Sequence, residues 1–243
     1  MRIAVISDIH GNLAALEAVL ADIETRGADL VVNLGDALSG PLLPAECADR
    51  LIPLELPTIR GNHERQLLTQ GAEVMGLSDR YTISCLGLDH RRWIAGLPES
   101  IWPHPDVLMV HGTPRSDVEY WLETVDQDGL HPASMEEIVS RTGTAQASLI
   151  LCGHTHLPRS VHLEDGRMIV NPGSVGLPAY QGDLPFPHKV QVGSPHARYA
   201  IVEKLNNQWS TEMIALTYDW DIMASIAQAR DRLDWARALR TGL

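Results

Sequence analysis

The sequence predicts an α/β fold built on two β-sheets, and three observations carry that prediction. Apolar runs of strand length alternate with amphipathic helical stretches through the first half, the order that builds a largely parallel sheet with right-handed crossovers. From about Val107 onward, strand-length runs follow one another across short turns, which predicts a second, more antiparallel sheet facing the first. Five of the apolar runs end in short clusters of Asp, His, Asn and Glu, so one sheet edge should collect them, where open α/β sheets place their sites. With 243 residues and 44% apolar content, the chain can bury a substantial core, and residues 1–243 read as one domain.

The first strand is expected over Arg2–Ser7. Leu13, Leu16, Val19, Leu20 and Ile23 then form one helical stripe within Asn12–Arg26, with Asn12 as N-cap and Gly27 as the stop. A strand at Leu30–Leu34, a helix near Pro44–Ile52 and a strand at Glu55–Ile59 continue the alternation. A helix follows Gly61-Asn62-His63-Glu64, and Ser78–Pro98 reads as helix. Further strands are expected at Val107–Val110, Ser148–Cys152, Arg159–Leu163, Arg167–Val170, Ala197–Glu203 and Gln208–Ala215. Glu164-Asp165-Gly166 and Asn206-Asn207 are hairpin signals. Gly182–Pro195, rich in Gly and Pro, reads as a long loop, expected to act as a mobile flap or an oligomer contact. The tail from Asp219 to Leu239 has helical spacing.

The polar clusters are Asp8-Ile9-His10, Gly35-Asp36, Gly61-Asn62-His63-Glu64, His111-Gly112 and Gly153-His154-Thr155-His156. Carboxylate, imidazole and amide oxygen suit divalent metals of intermediate softness. Alternate residues of an extended strand end point the same way, so Asp8 and His10 can grip one ion. Asp36 has two oxygens and can bridge two ions. The division that balances the donors gives Asp8, His10, Asp36 and His156 to one metal, and Asp36, Asn62, His111 and His154 to the other. Two ions about 3.5–4 Å apart would hold a bridging hydroxide as nucleophile and clamp a phosphoryl group. His63 is left over. With Glu64 beside it, His63 is suited to stay protonated and to donate to the leaving oxygen. Asp36 and His63 are thus the catalytic candidates, with Asn12, Asn62 and His63 as candidate substrate contacts.

The five clusters, in this order, resemble the signature of the calcineurin-like metallophosphoesterase superfamily over roughly Arg2 to Tyr180. Ser7-Asp8-Ile9-His10-Gly11-Asn12, Val110-His111-Gly112-Thr113-Pro114-Arg115 and Asn171-Pro172-Gly173-Ser174-Val175-Gly176 are similar to its small prokaryotic branch of phosphodiesterases and phosphatases. The resemblance implies a four-layer α/β/β/α sandwich of two mixed sheets flanked by helices, with the metals at the strand ends. One departure stands out. The protein phosphatases and diadenosine-tetraphosphatase relatives carry an Asp-Arg-Gly element after the second cluster, whereas Gly35-Asp36 continues here as Ala37-Leu38-Ser39-Gly40. Arg60, before the third cluster, echoes their arginine only superficially.

A metal-dependent hydrolase of phosphodiesters or phosphomonoesters is therefore the leading expectation. The other readings are a non-catalytic interaction module of the same fold, and a nuclease or dinucleoside polyphosphate hydrolase. Manganese heads the candidate metals, followed by Fe, Zn, Co and Ni. A net charge of −12 without a long basic run argues against stable nucleic-acid binding. No apolar run approaches a membrane span. Three unpatterned cysteines suggest no disulfide framework, so a cytoplasmic protein acting on a small phosphate ester is expected. Substrate choice is expected to lie in the loops Leu38–Pro44, Thr113–Leu130 and Gly176–Pro195. Tyr120, Trp121, Tyr180 and His188 are candidates for the mouth of the site or for ordinary packing.

Overall fold

The computed structural model describes residues 1–243. In the first half, β1 (Arg2–Ile6) leads to α1 (Leu13–Arg26), and β2 (Leu30–Asn33) to α2 (Pro44–Leu51), followed by α3 (Asn62–Thr69), α4 (Leu77–Cys85) and α5 (Leu88–Gly96). Then come β3 (Ile101–His104), β4 (Val107–Met109), the hairpin β5 (Glu123–Asp126) and β6 (Gly129–Pro132), α6 (Met135–Thr142), β7 (Leu149–Leu151), β8 (Arg159–His162) and β9 (Met168–Asn171). A second hairpin, β10 (Ala179–Gly182) and β11 (His188–Gln191), precedes β12 (Ala197–Leu205), β13 (Gln208–Leu216), α7 (Trp220–Ala229) and α8 (Leu233–Thr241). No helix is long and apolar enough to cross a membrane.

Two mixed sheets result, in the orders β13-β12-β1-β2 and β3-β4-β7-β9-β8. Alternation along the strands sorts side chains into layers. In β1, Ala4 and Ile6 join a core with Leu16, Val19, Ala48, Met223 and Leu239 of the helices, while Ile3 and Val5 meet Met109, Leu151 and Val170 of the second sheet. The far face of that sheet, through Leu108, Ile150 and Ile169, packs on Trp121 and on Ile138 of α6. Helices, sheet, sheet and helix therefore stack as the four-layer sandwich.

Several elements differ from the sequence reading. Glu55–Ile59 forms no strand; it touches β2 only through the bridge from Asn33 to Thr58. Pro57 lends its carbonyl to the Asn33 amide at 3.0 Å but has no N–H to extend a ladder. The hairpin β12–β13 joins the first sheet, antiparallel to β1. Both faces of β12 are apolar, and only that place covers both. The second sheet is parallel at its centre, β4-β7-β9, because α6 carries the crossover from β4 to β7. Ser78–Pro98 is two helices parted at Leu86-Gly87, and the tail is two helices parted where Asp231 turns to φ +57°. Gly182–Pro195 is loop except at its strand residues Gly182 and His188–Gln191, where β11 pairs antiparallel with β10.

Candidate metal centre

Five loops carry the polar clusters to one edge of the sandwich. Asp8 and His10 follow β1, Asp36 follows β2, Asn62 opens α3, His111 follows β4, and His154 and His156 follow β7. These turns use backbone that most side chains avoid: φ is +55° at Asp8, +53° at His10, +51° at Asp36, +67° at His154 and +58° at His156. Left-handed torsions cost about 1–2 kcal/mol per residue, with Asp, Asn and His the most tolerant. They persist where the surroundings over-determine them. Here main-chain hydrogen bonds cross-tie the loops, from Asp8 N–H to the Gly35 carbonyl (3.0 Å), His10 N–H to Asp36 (3.0 Å), Gly153 N–H to His111 (2.7 Å) and Gly176 N–H to Asp8 (3.0 Å). The close approach also requires glycine, because a Cβ at Gly61 would strike the Asp36 carboxylate and one at Gly153 the Ser7 hydroxyl.

Asp8, His10 and His156 bring one donor atom each within 4.8 Å of one another, and Asp36, His111 and His154 do the same. Backbone carbonyls fix the imidazoles. Nδ1–H of His10 donates to Ser39 (2.6 Å), that of His156 to Leu177 (2.7 Å) and that of His111 to Leu34 (2.8 Å). A carbonyl only accepts, so each ring carries a proton on Nδ1 and in its neutral form turns an Nε2 lone pair inward, the outer-partner arrangement that prepares a metal ligand. At His111 burial is outweighed by Asp36, which lifts the ring to about 10. His154 is reversed: Nε2 meets the Val118 carbonyl at 3.2 Å, leaving Nδ1 as its free atom. His111 Nε2 lies 3.1 Å from Asp36 Oδ2 and 3.1 Å from Asn62 Oδ1. In the first group, His10 Nε2 and His156 Nε2 face each other at 3.1 Å, and His156 lies 3.3 Å from Asp8 Oδ1. That Asp8 oxygen is buried without a hydrogen-bond partner. Facing lone pairs beside an orphaned carboxylate oxygen make a poor protein interior and a fitting divalent-cation cradle.

Electrostatics divide the rings. Burial, aided by His156, takes His10 down to about 4, and burial with His111 takes His154 down to about 3. Burial opposes charge on Asp8, yet His156 and His111 outweigh it and bring the carboxylate to about 2. Burial likewise disfavours a charged His63, but Asp36 and the hydrogen-bonded Asp79 lift it to about 9. His63 Nδ1 sits 2.8 Å from Asp79 Oδ1, which also accepts from the Ser39 hydroxyl at 2.5 Å. Asp79, not Glu64, is thus the carboxylate that holds His63. Glu64 instead accepts from the amides of Gly61, Asp36 and Ala37, each at 2.9 Å, and ties two loops together.

The calcineurin-like phosphoesterase superfamily domain matches residues 1–186. The chain belongs to that superfamily. An uncharacterized protein of Methanocaldococcus jannaschii is 30% identical over 200 residues, 72% of this chain and 76% of that one. A metallophosphoesterase crystal structure from Sphaerobacter thermophilus shares the fold with a TM-score of 0.76 at 24% identity, over 100% of both chains. So does a hypothetical protein from Pyrococcus horikoshii, with a TM-score of 0.76 at 18% identity over 100% of this chain and 98% of that one. Both likenesses extend past the family match, so β12 to α8 belong to the shared fold.

In this calcineurin-like phosphoesterase the donor groups open into a cleft of about 440 Å³, where His10, Asp36, His63, His154 and His156 meet Tyr180, Lys189 and Trp235. Asn12 is not part of it. Its amide caps Ala15 N–H (3.1 Å) and donates to the Gly176 carbonyl (2.9 Å) and the Tyr218 hydroxyl (3.0 Å), and the residue is fully buried. The side chain expected to meet substrate is here engaged as a helix cap and a tie between loops. Asn62 is also buried and does not line the cleft, and its Oδ1 faces His111 Nε2.

Arg60 pairs with Glu99, away from the cleft. Asn171 holds the histidine loop from behind, donating to the Gly153 carbonyl (2.8 Å) and the Thr155 hydroxyl (2.9 Å). Tyr120 donates to His188 Nε2 (2.9 Å) and meets the Tyr180 hydroxyl (2.7 Å), which donates to the His154 carbonyl (3.2 Å) and links hairpin β10–β11 to that loop. Trp121 is core, with its indole N–H on the Ile138 carbonyl. Of the loops expected to set specificity, Thr113–Leu130 contributes nothing to the cleft wall, whereas Ser78 and α8 do. Asp79 and the α8 wall carry no local motif that could have announced them.

Proposed function

We propose that this protein is a dinuclear metal-dependent hydrolase of phosphodiesters or phosphomonoesters. The observation that carries the reading is the pair of donor groups on the cleft floor, with Asp8 Oδ1 orphaned and two Nε2 lone pairs facing at 3.1 Å. Asp8, His10 and His156 would hold one ion and Asn62, His111 and His154 the other, with Asp36 between them. Manganese is the first candidate, then Fe, Zn, Co and Ni. Bound there, two cations would supply a nucleophile at neutral pH and offset phosphoryl charge.

The chain's own residues do the rest. Asp79 orients His63, which lines the cleft and retains a proton for the departing oxygen. Glu64 fixes the spacing of the Asp36 and His63 loops. Tyr180 closes the side wall over His156, ring centroids 4.7 Å apart. A single domain spanning residues 1–243 and free thiols at Cys47, Cys85 and Cys152 fit a cytoplasmic enzyme acting on a small phosphate ester. Hydrolysis of bis(p-nitrophenyl) phosphate should vanish in chelator-stripped protein and return with Mn. Full turnover by metal-free protein would end this reading.

A further inference from the structure

The cleft above the donor groups has two walls of different origin. One is hairpin β10–β11, whose register sets Gln181 opposite Lys189; Gln191, two residues on, is exposed like Lys189 and also lines the cleft. The other wall is α8 with the residues just before it, including Arg232, Asp234 and Arg237.

Charge on these walls is not distributed as elsewhere in the molecule. Nearly every Lys and Arg in this acidic chain has a partner. Even Arg232, in the cleft, is spent on Asp234 (2.7 Å) and on the Ser78 hydroxyl (3.0 Å). Lys189 and Arg237 are different: both are exposed, and neither head group makes a hydrogen bond or an ion pair. The cleft's two side-chain carboxylates do not balance them, because Asp234 is taken by Arg232 and Asp36 lies among the donor groups. In a chain of net charge −12, two free cations lining one concavity from two walls, with two amide side chains on the hairpin wall, are an anion receptor in wait.

We propose that Lys189 and Arg237, flanked by Gln181 and Gln191, bind a second phosphate group of the substrate, remote from the scissile one. The substrate class is then an organic phosphoester carrying a further phosphate, not a simple diester or monoester. An Arg fork, a Lys point charge and amide donors match a phosphate's several oxygens better than a carboxylate's two. The inference rests on the phosphoesterase reading above and deepens it. Both side chains lie outside the donor groups, and their exposure means that substitution leaves the core intact.

Three aryl phosphodiesters with the same p-nitrophenyl leaving group test it, on Mn-loaded full-length protein. Their other ester arm is propyl, 3-carboxypropyl or 3-phosphopropyl. The phospho-tailed probe should exceed the propyl probe in kcat/KM by about tenfold or more, chiefly through KM, and the margin should shrink with added salt. Lys189→Gln and Arg237→Gln should each cut that ratio several-fold, and the double variant should bring it near one. Arg240→Gln, on the same helix but paired with Asp221 at 2.9 Å, should leave it unchanged. A wild-type ratio near one, or a ratio that survives the double variant, overturns the second-phosphate site. A carboxylate tail as good as the phosphate tail overturns the assignment to phosphate. No turnover of any probe, nor of p-nitrophenyl phosphate as a monoester, overturns the phosphoesterase reading itself, and the inference falls with it.

Discussion

The turn at Asn206–Asn207 and the loops that carry the proposed metal donors use the same left-handed backbone for different ends. In the turn, φ is +48° and +66°, the residues are exposed, and the torsions match the twist of the two strands they join. At the donor edge, φ of +51° to +67° falls on buried Asp8, His10, Asp36 and His156 and on part-buried His154. There the torsion aims a side chain, and cross-tied loops hold it against its tendency to relax. The turn could exchange its residues for glycine and gain. The donor edge could not, because the side chain is the purpose of the bend.

Substitutions at the donor edge should therefore have the largest effects. Asp36→Asn keeps the shape of the loop and removes the charge shared by both proposed metals. Turnover of an aryl phosphodiester should fall by more than about 10³-fold, beyond the roughly 10–100-fold typical of losing an outer partner of a ligand. Retention of two metals at native occupancy in that variant would contradict the bridging role. His63→Ala, next to the donors but outside the two groups, should keep both metals and lose about 10²–10⁴ in kcat. The loss should shrink with leaving groups of low pKa, and an equal loss across leaving groups would remove its role as proton donor.

Two buried carboxylates sharpen the comparison further. Asp8 Oδ1 and Glu123 Oε2 both lack hydrogen-bond partners, yet Asp8 is held at about 2 by imidazoles, while burial lifts Glu123 to about 7 against the weaker pull of Thr155 and Arg159. A carboxyl raised from 4.5 to about 7 on folding contributes stability that is complete below pH 4.5 and lost as pH rises through 7. Glu123→Gln should thus gain stability over wild type between pH 5 and pH 8, by up to about 3 kcal/mol. A difference in melting temperature that does not change with pH would show Glu123 to be charged throughout. The smallest effect is expected at the turn, where Asn207→Gly should stabilise by about 0.5–1 kcal/mol or less, read by denaturant unfolding. A clear loss there would mean that the Asn207 side chain serves more than the bend.

This contrast also explains what the sequence disclosed. Asn206-Asn207, the Asn12 cap and the helical stripe of α1 are local signals, and each appears where local chemistry puts it. The donor residues were legible because their types and order are rare together, although nothing in the propensities of Asp8 or His154 foretells a positive φ. Long-range facts stayed hidden. The partnership of His63 with Asp79 spans 16 residues and two helices, and Glu64, its sequence neighbour, was the natural but mistaken choice. The return of β12 beside β1 and the α8 wall of the cleft depend on which apolar faces the sheets leave uncovered. Asn12 shows the same limit in reverse: its motif position suggested a substrate contact, and the fold buries it among hydrogen bonds of its own.

The central claim is that two metals sit side by side on the donor edge. Anomalous diffraction from crystals of the protein loaded with Mn tests it most directly. Two Mn peaks about 3.5–4 Å apart are expected, one against Asp8, His10 and His156 and the other against Asn62, His111 and His154, with Asp36 touching both. A single peak, or Mn bound only elsewhere on this acidic surface, would contradict it.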